Sequence, residues 1–175
     1  ITPSELPPGP AGLNFHSALL RLMPDRGASL HIHETASVAV SAMVGGLKYI
    51  NQESMAFYDE VAYHTYEGLA DASDEGPAIA KELGQKKCMI MRNHGLLTCA
   101  RNISETFAMM DRLVDTCRVQ TKLMMSGADF NEIPKEVCKH TRDQYKARWE
   151  KKPLGTDEWA AFLRLAERED PSFRL

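Results

Sequence analysis

The sequence predicts an α/β layered domain in which at least part of the sheet is antiparallel. Short apolar runs of strand type, Ala28–His33 and Cys88–Met91, alternate with segments of about ten residues or more at helical spacing. After Cys88–Met91 the turn signal Asn93-His94-Gly95 sends the chain back through Leu96 to Cys99, a hairpin-like return. At 175 residues the chain fits one domain, 1–175, long enough to bury a core.

Taken in order, Ile1 to Pro10 carries four prolines and reads as an extended arm, residues 1–11 in all. Asn14 is positioned to cap a short helix through Phe15, Leu19 and Leu22, which Pro24 stops. Ala28–His33 is the first strand. Thr35 opens a small helix to Met43, with Gly45-Gly46 as its stop. Leu47–Ile50 and Val61–Tyr66 read as short strands. Asp71–Glu75 is an acidic turn that suits the start of a helix, with Pro77 tolerated in the first turn, ending near Gly84. Cys88–Met91 is apolar throughout, as a strand buried on both faces is.

Asn102-Ile103-Ser104-Glu105 has the form of a capping box and launches the longest helix, which Gly127 ends. Its methionines, Met109, Met110, Met124 and Met125, fit core or subunit-contact filling better than an adaptable binding surface. Two C-terminal helices follow within residues 134–175, Lys135–Glu150 and Asp157–Glu167, joined by a linker at Lys151–Gly155.

The net charge of −3 and the lack of an arginine- or lysine-rich stripe argue against nucleic acid as a partner. No apolar run approaches a membrane span, and no cationic segment leads into a signal-type apolar stretch. Cys88, Cys99, Cys117 and Cys138 lack CxxC spacing, so buried thiols in a reducing cytoplasm are expected rather than disulfides or a sulfur-ligated ion. The first residue is Ile1, which suggests upstream residues.

The chemistry concentrates on histidine. His31 and His33, two apart on a strand, point to one face with Cα atoms about 6.5–7 Å apart. That spacing lets both imidazoles converge on one ion, and His94, after the second buried strand, is the best-placed third ligand. Three neutral imidazoles with an open position suit zinc or a similar divalent ion. His16 faces the same cleft or packs in the core. His64 serves either substrate contact or a structural hydrogen bond. His140 sits on a charged helix and reads as exposed.

Several segments, in order, resemble the class II aldolase/adducin family. They are Phe15-His16-Ser17-Ala18, Pro24-Asp25, His31-Ile32-His33, Gln52-Glu53, Tyr63-His64-Thr65-Tyr66-Glu67-Gly68 and Arg92-Asn93-His94-Gly95-Leu96-Leu97-Thr98, running into the helix near Asn102. The ordered set is far more specific than any one motif. The resemblance implies a three-layer α/β/α sandwich with a mostly antiparallel central sheet. It also implies assembly as a homotetramer with sites between subunits, and a divalent metal, zinc foremost with manganese, iron or cobalt as alternatives, on His31, His33 and His94. Such an ion polarises a carbonyl or hydroxyl and stabilises developing negative charge.

Three departures shape the functional expectation. Gly12 stands where the family's aldolases carry a catalytic glutamate, and the Ala-Gly-x-x-x-His form resembles the adducin branch and decarboxylase-like members. No segment matches the family's upstream phosphate-binding loop, and Ile1-Thr2-Pro3-Ser4 resembles a segment that normally lies farther before the first helix, so the N-terminal part of the family domain is expected to be missing. Glu34 follows the His pair where a small or hydroxyl residue is common; it reads as the first-turn acid of the next helix rather than as a partner of a ligating histidine.

With no acid at position 12, Glu53 becomes the candidate base, a capping or ion-pair role being its alternative. Tyr66 is the candidate proton donor, and Tyr58 and His64 are candidates for substrate contact. The expected function is a metal-dependent lyase acting on a small carbonyl or carboxylate substrate, by aldol cleavage or decarboxylation. The alternative is a non-catalytic adducin-like head for self-association or actin-cytoskeletal assembly, ranked second because no basic tail like that of the adducins follows Leu175.

Overall fold

In the computed structural model of the chain, residues 9–68 and 75–174 are described. The elements are α1 (Pro10–Leu22), β1 (Ala28–Ile32), α2 (Thr35–Ala42), α3 (Gln52–Met55), β2 (Val61–His64), α4 (Glu75–Leu83), β3 (Cys88–Met91), β4 (Gly95–Ala100), α5 (Ile103–Ser126), α6 (Lys135–Lys151), α7 (Glu158–Glu169) and a final 3-10 turn, Pro171–Arg174. The strands form one sheet in the order β1-β4-β3-β2. The β1–β4 and β3–β4 pairings are antiparallel, as the Gly95 return predicts, and β2–β3 is parallel.

Two apolar clusters sandwich this sheet and make the three layers. Along β3, Cys88 and Ile90 face one cluster while Met89 and Met91 face the other, the period-2 alternation of a strand covered on both sides. Phe15 and Leu19 of α1 and Ile79 and Leu83 of α4 close one face. Val40 of α2 and a row of α5 residues from Ala108 to Cys117 close the other, where Tyr145 of α6 also packs. All four cysteines are buried free thiols. Met109 and Met110 fill the core, whereas Met125 is 87% exposed.

Several boundaries differ from the sequence reading, each for a local reason. Helix α1 begins at Pro10, whose fixed φ and missing N–H suit a first helical position, so Asn14 is interior rather than a cap. Glu34, not Thr35, caps α2, its carboxylate accepting from the Ser37 amide at 2.9 Å. That helix ends at Met43 in extended backbone, and Gly46 (φ 60°) makes the turn after it.

No strand forms at Leu47–Ile50, because its donors find side chains instead of a ladder. The Leu47 amide donates to the Tyr63 hydroxyl at 3.2 Å and the Lys48 amide to Gln120 Oε1 at 2.7 Å. Helix α3 is one turn that periodicity cannot reveal. Its signature is the reciprocal capping box of Asn51 and Ser54.

Asn102 caps α5 as expected, and Gly127 (φ 64°) ends it in the left-handed conformation. Glu105 completes only half of the predicted box, because its carboxylate turns to Lys87 (2.6 Å) and Arg101 (3.0 Å). Residues 1–8 of the predicted arm and 71–74 of the acidic turn lie outside the described residues.

Candidate metal centre

The three predicted ligands meet at one end of the sheet. The register pairs His31 with Leu97 and Ile32 with Leu96, which fixes the β1 end beside the start of β4. Leu30 and Ile32 pack on the α5 side, so strand alternation sends Ser29, His31 and His33 to the α1 side. His94 arrives from the β3–β4 turn, where Asn93 takes φ 57°, a left-handed value that asparagine tolerates. The imidazole centroids of His31, His33 and His94 stand 4.6 Å apart in each pairing. One nitrogen from each lies within 4.8 Å of the others.

Local interactions hold this corner. Gly95 follows His94 because nothing larger fits: a Cβ there would stand 2.3 Å from the Ile32 carbonyl oxygen and 3.2 Å from the His33 ring. Arg92 locks the turn from the other side. Its guanidinium donates to the Met43 carbonyl at the end of α2 at 2.9 Å and lies 4.3 Å above the Tyr63 ring. The Asn93 amide donates to the Ser41 carbonyl at 3.2 Å, and the Arg92 amide to the His64 carbonyl at 2.8 Å. The Arg-Asn-His-Gly wording is therefore a clamp, a left-handed turn, a candidate ligand and a close approach, in that order.

Hydrogen bonding and burial set the state of the imidazoles. His31 Nδ1 lies 2.8 Å from the Leu96 carbonyl oxygen, which can only accept, so Nδ1 carries the hydrogen and Nε2 presents a lone pair. Nε2 of His31 is 2.7 Å from Nε2 of His33. Burial pushes the His31 pKa down to about 4, against the Leu96 hydrogen bond, which raises it. Burial also lowers His94, with a smaller push in the same direction from His33. Neutral imidazoles, one with its tautomer fixed by a backbone carbonyl, are the donor set that zinc and similar ions take, so the residues present fit a divalent ion.

Around the cluster, His16 Nδ1 meets Ser29 Oγ at 2.6 Å, and Phe15 sets its ring edge-on to His31 at 5.5 Å. Tyr66, 47% exposed, stands 6.2 Å from His94 between ring centroids. The structure thus brings Tyr66 to the histidines, just past the end of β2.

The other predicted site residues lie elsewhere. Glu53 is across the sheet, its carboxylate accepting from Arg112 of α5 at 2.6 Å and from the Tyr145 hydroxyl of α6 at 3.1 Å. Tyr58 packs its ring against Tyr49 at 4.9 Å. His64 is buried, with Nδ1 2.7 Å from Glu82 and Nε2 3.3 Å from Glu75. Glu34 serves as the helix cap described above and pairs with Arg118 at 3.2 Å. Glu75 was not legible as part of this region: its only sequence signal is an acid opening a helix, which is ordinary.

Comparison with known proteins converges on one family. The chain matches the Class II Aldolase and Adducin N-terminal domain over residues 3–121. It is 35% identical over 167 residues to a Pseudomonas aeruginosa protein assigned by name to the class 2 aldolases, an alignment covering 94% of this chain and 64% of that protein. It is 40% identical over 118 residues to rat alpha-adducin, covering 67% of this chain and 16% of the adducin. Among solved structures, an aldolase II superfamily protein from Pseudomonas syringae aligns with a TM-score of 0.81 at 35% identity, over 91% of this chain and 63% of that one. The chain therefore spans less than two thirds of the length of each of these relatives.

Proposed function

The chain belongs to the class II aldolase/adducin family, and on that footing we propose that it is a metal-dependent lyase. Its substrate is a small carbonyl or carboxylate compound, and its reaction is aldol cleavage or decarboxylation. The observation that carries this is the convergence of His31, His33 and His94, with ligand nitrogens within 4.8 Å of one another. These three residues hold the ion, zinc foremost, with manganese, iron or cobalt as alternatives. When bound, the ion supplies Lewis acidity toward a substrate oxygen.

The chain's own residues have separable tasks. Leu96 fixes the His31 tautomer through its carbonyl, and Phe15 shields that ring from one side. His33 is the exposed member of the three, so substrate enters from its side. Tyr66, half in solvent beside His94, is the hydroxyl placed to contact substrate or pass it a proton. A cytoplasmic homotetramer is the assembly this reading favours, and four free buried thiols suit a reducing compartment. Among the described residues no helix is long and apolar enough to cross a membrane.

Elemental analysis of protein purified without chelator tests the reading, with about one divalent ion per chain expected. Protein that stays empty when offered zinc, manganese, cobalt and iron in turn would end it. A second reading, a non-catalytic head for self-association or actin assembly, is favoured by the 40% identity to rat alpha-adducin together with the glycine at position 12. Metal-loaded protein that turns over no hydroxy- or keto-acid, yet co-sediments with filamentous actin, would select it.

A further inference from the structure

A cavity of about 480 Å³, within the size range of small-molecule sites, lies at the end of the sheet opposite the histidines. Arg26 comes just before β1, Lys87 just before β3 and Arg101 just after β4, so the strand ends bring three cations to one wall. His94 and Arg101 flank β4 at its two ends, which puts about 20 Å of extended chain between the metal centre and this wall. Lys146, Trp149 and Glu150 of α6 make the facing wall. Between them the floor is apolar, with Ala56, Phe57, Cys88 and Met109 all buried.

The cationic wall holds more charge than its acids neutralise. The buried Glu105 is shared by Lys87 at 2.6 Å and Arg101 at 3.0 Å. Asp25, largely exposed, is the other acid and is set against Arg26. Three cations against two carboxylates leave one positive charge over. On the facing wall Lys146 is already paired with Glu60 at 2.9 Å, and Glu150 stands exposed, where water and salt screen it.

Arg26 carries the clearest sign of a missing partner. Its side chain is only 4% exposed. Nη1 donates to the Cys99 carbonyl at 3.0 Å and Nη2 to the Gln85 carbonyl at 3.1 Å. Nε donates to nothing, because Asp25 Oδ2, 3.3 Å away, lies outside hydrogen-bond geometry. Among the described residues it is the one buried side-chain nitrogen or oxygen without a hydrogen-bond partner. A buried donor of this kind calls for an acceptor. Burial pushes the pKa of the Cys88 thiol up, so the floor offers no thiolate to repel an anion.

We propose that this cavity is a metal-independent binding site for a small organic carboxylate with an aromatic body. The carboxylate accepts from Arg26 Nε and meets the surplus charge of Lys87 and Arg101, while the body lies on Phe57, Met109 and the Trp149 ring. A carboxylate supplies the acceptor and the negative charge in one group. Ring and thioether surfaces suit a flat apolar body, which an inorganic anion lacks. The site stands apart from the lyase reading, since no histidine takes part in it.

Phenylacetate is the probe, titrated into the full chain with isotope-labelled methionine methyls and tryptophan indoles, once metal-free and once zinc-loaded. Saturable NMR shifts of the Met109 methyl and the Trp149 indole N–H are expected, with the same millimolar midpoint in both preparations. 2-Phenylethanol, the same body without the charge, should bind roughly 10-fold more weakly or worse. Arg26→Gln should weaken phenylacetate to the level of the alcohol. Because Arg26 also holds two carbonyls, the comparison of the two probes on wild type decides the matter where that variant does not fold. Equal affinity for acid and alcohol would reduce the site to an apolar crevice, and shifts that require zinc would move binding to the histidines. No saturation at either reporter would mean that water alone fills the space. Each of these three results overturns the proposal.

Discussion

His31 Nδ1 donates a 2.8 Å hydrogen bond to the Leu96 carbonyl oxygen, across the β1–β4 pairing. The bond ties the electronic state of one imidazole to the register of the sheet. A one-residue slip of β1 would turn His31 to the α5 face and Ile32 to the cleft. Because Nδ1 keeps its hydrogen, Nε2 is left as the acceptor, and in the metal-free site His33 must supply the hydrogen in their 2.7 Å contact. Binding an ion at Nε2 would then move the His33 hydrogen to Nδ1, whereas His31 already has the tautomer that binding needs.

His31→Ala and His94→Ala should each lose bound metal by elemental analysis and weaken zinc affinity by more than about 100-fold, beyond the 10–100-fold typical of partners that only orient a ligand. His16→Ala, whose ring bonds Ser29 rather than a ligand, should stay within that smaller range. Equal losses at His16 and His94 would mean that the ligand set has been drawn wrongly.

Stability should fall on acidification. Burial lowers His31 to about 4 and also lowers His94 and His16. In the window from about pH 6.5 down to about 4, the unfolded chain therefore binds protons that the folded chain refuses. The contribution is fully present above the unfolded pKa and is lost as pH falls through that window. Each such proton steepens the slope by at most about 1.4 kcal/mol per pH unit. Urea unfolding of metal-free protein at pH 7 and pH 5 measures it, and His31→Gln should flatten the dependence. A wild-type midpoint that does not move between those two values would contradict the burial of the cluster.

Gly95→Ala tests the close approach. The added carbon would stand 2.3 Å from a backbone oxygen, which cannot swing aside as a flexible side chain could. A loss of about 1–3 kcal/mol of stability is expected, with zinc affinity reduced because the His33 ring is the next atom group in its way. Alanine at Gly12, where nothing lies within 4 Å, should be tolerated and serves as the control. Tolerance of both substitutions would show that β4 does not press on β1 as described.

The sequence exposed these features unequally, and the reasons are physical. His31 and His33 were legible because strand alternation is local and forces two such residues to one face. His94 was legible because a turn between two apolar runs brings it back to the same sheet. Glu53 drew attention by its wording and its place near a strand, but which side of the sheet α3 packs on is decided by Arg112 and Tyr145, 59 and 92 residues away. The contact between Glu75 and His64 was hidden for the same reason: the two belong to separate elements, and one acid at a helix start carries no pattern. Leu47–Ile50 had strand composition but lost its ladder to Tyr63 and Gln120, both distant in sequence.

Arg92 should prove structural and yet affect the metal. Arg92→Lys keeps the charge but loses the planar guanidinium above Tyr63 and the geometry of the bond to the Met43 carbonyl. A cost of about 1–2 kcal/mol is expected from these two contacts. Because the same residue anchors the turn that carries His94, zinc affinity should fall roughly 10-fold, as for other groups that orient a ligand. Unchanged affinity with reduced stability would separate the clamp from the metal centre.

Glu53→Gln separates the two sides of the sheet. Its carboxylate accepts from Arg112 at 2.6 Å and from the Tyr145 hydroxyl at 3.1 Å, joining α3 to α5 and α6. The amide keeps an acceptor for Tyr145 but gives up the ion pair. Arg112 retains Glu158 at 3.6 Å as a second partner. Both members of the Glu53–Arg112 pair are partly exposed, so the loss should stay near 1 kcal/mol. Zinc content should not change, because the histidines face the other layer. Tyr145→Phe should add little, and the double variant should show coupling, since the two groups share one contact. If instead Glu53→Gln left stability intact but lowered turnover 100-fold or more on a substrate that the wild type accepts, the carboxylate would have to reach a site formed with another subunit. The catalytic base would then lie across an interface rather than within one chain.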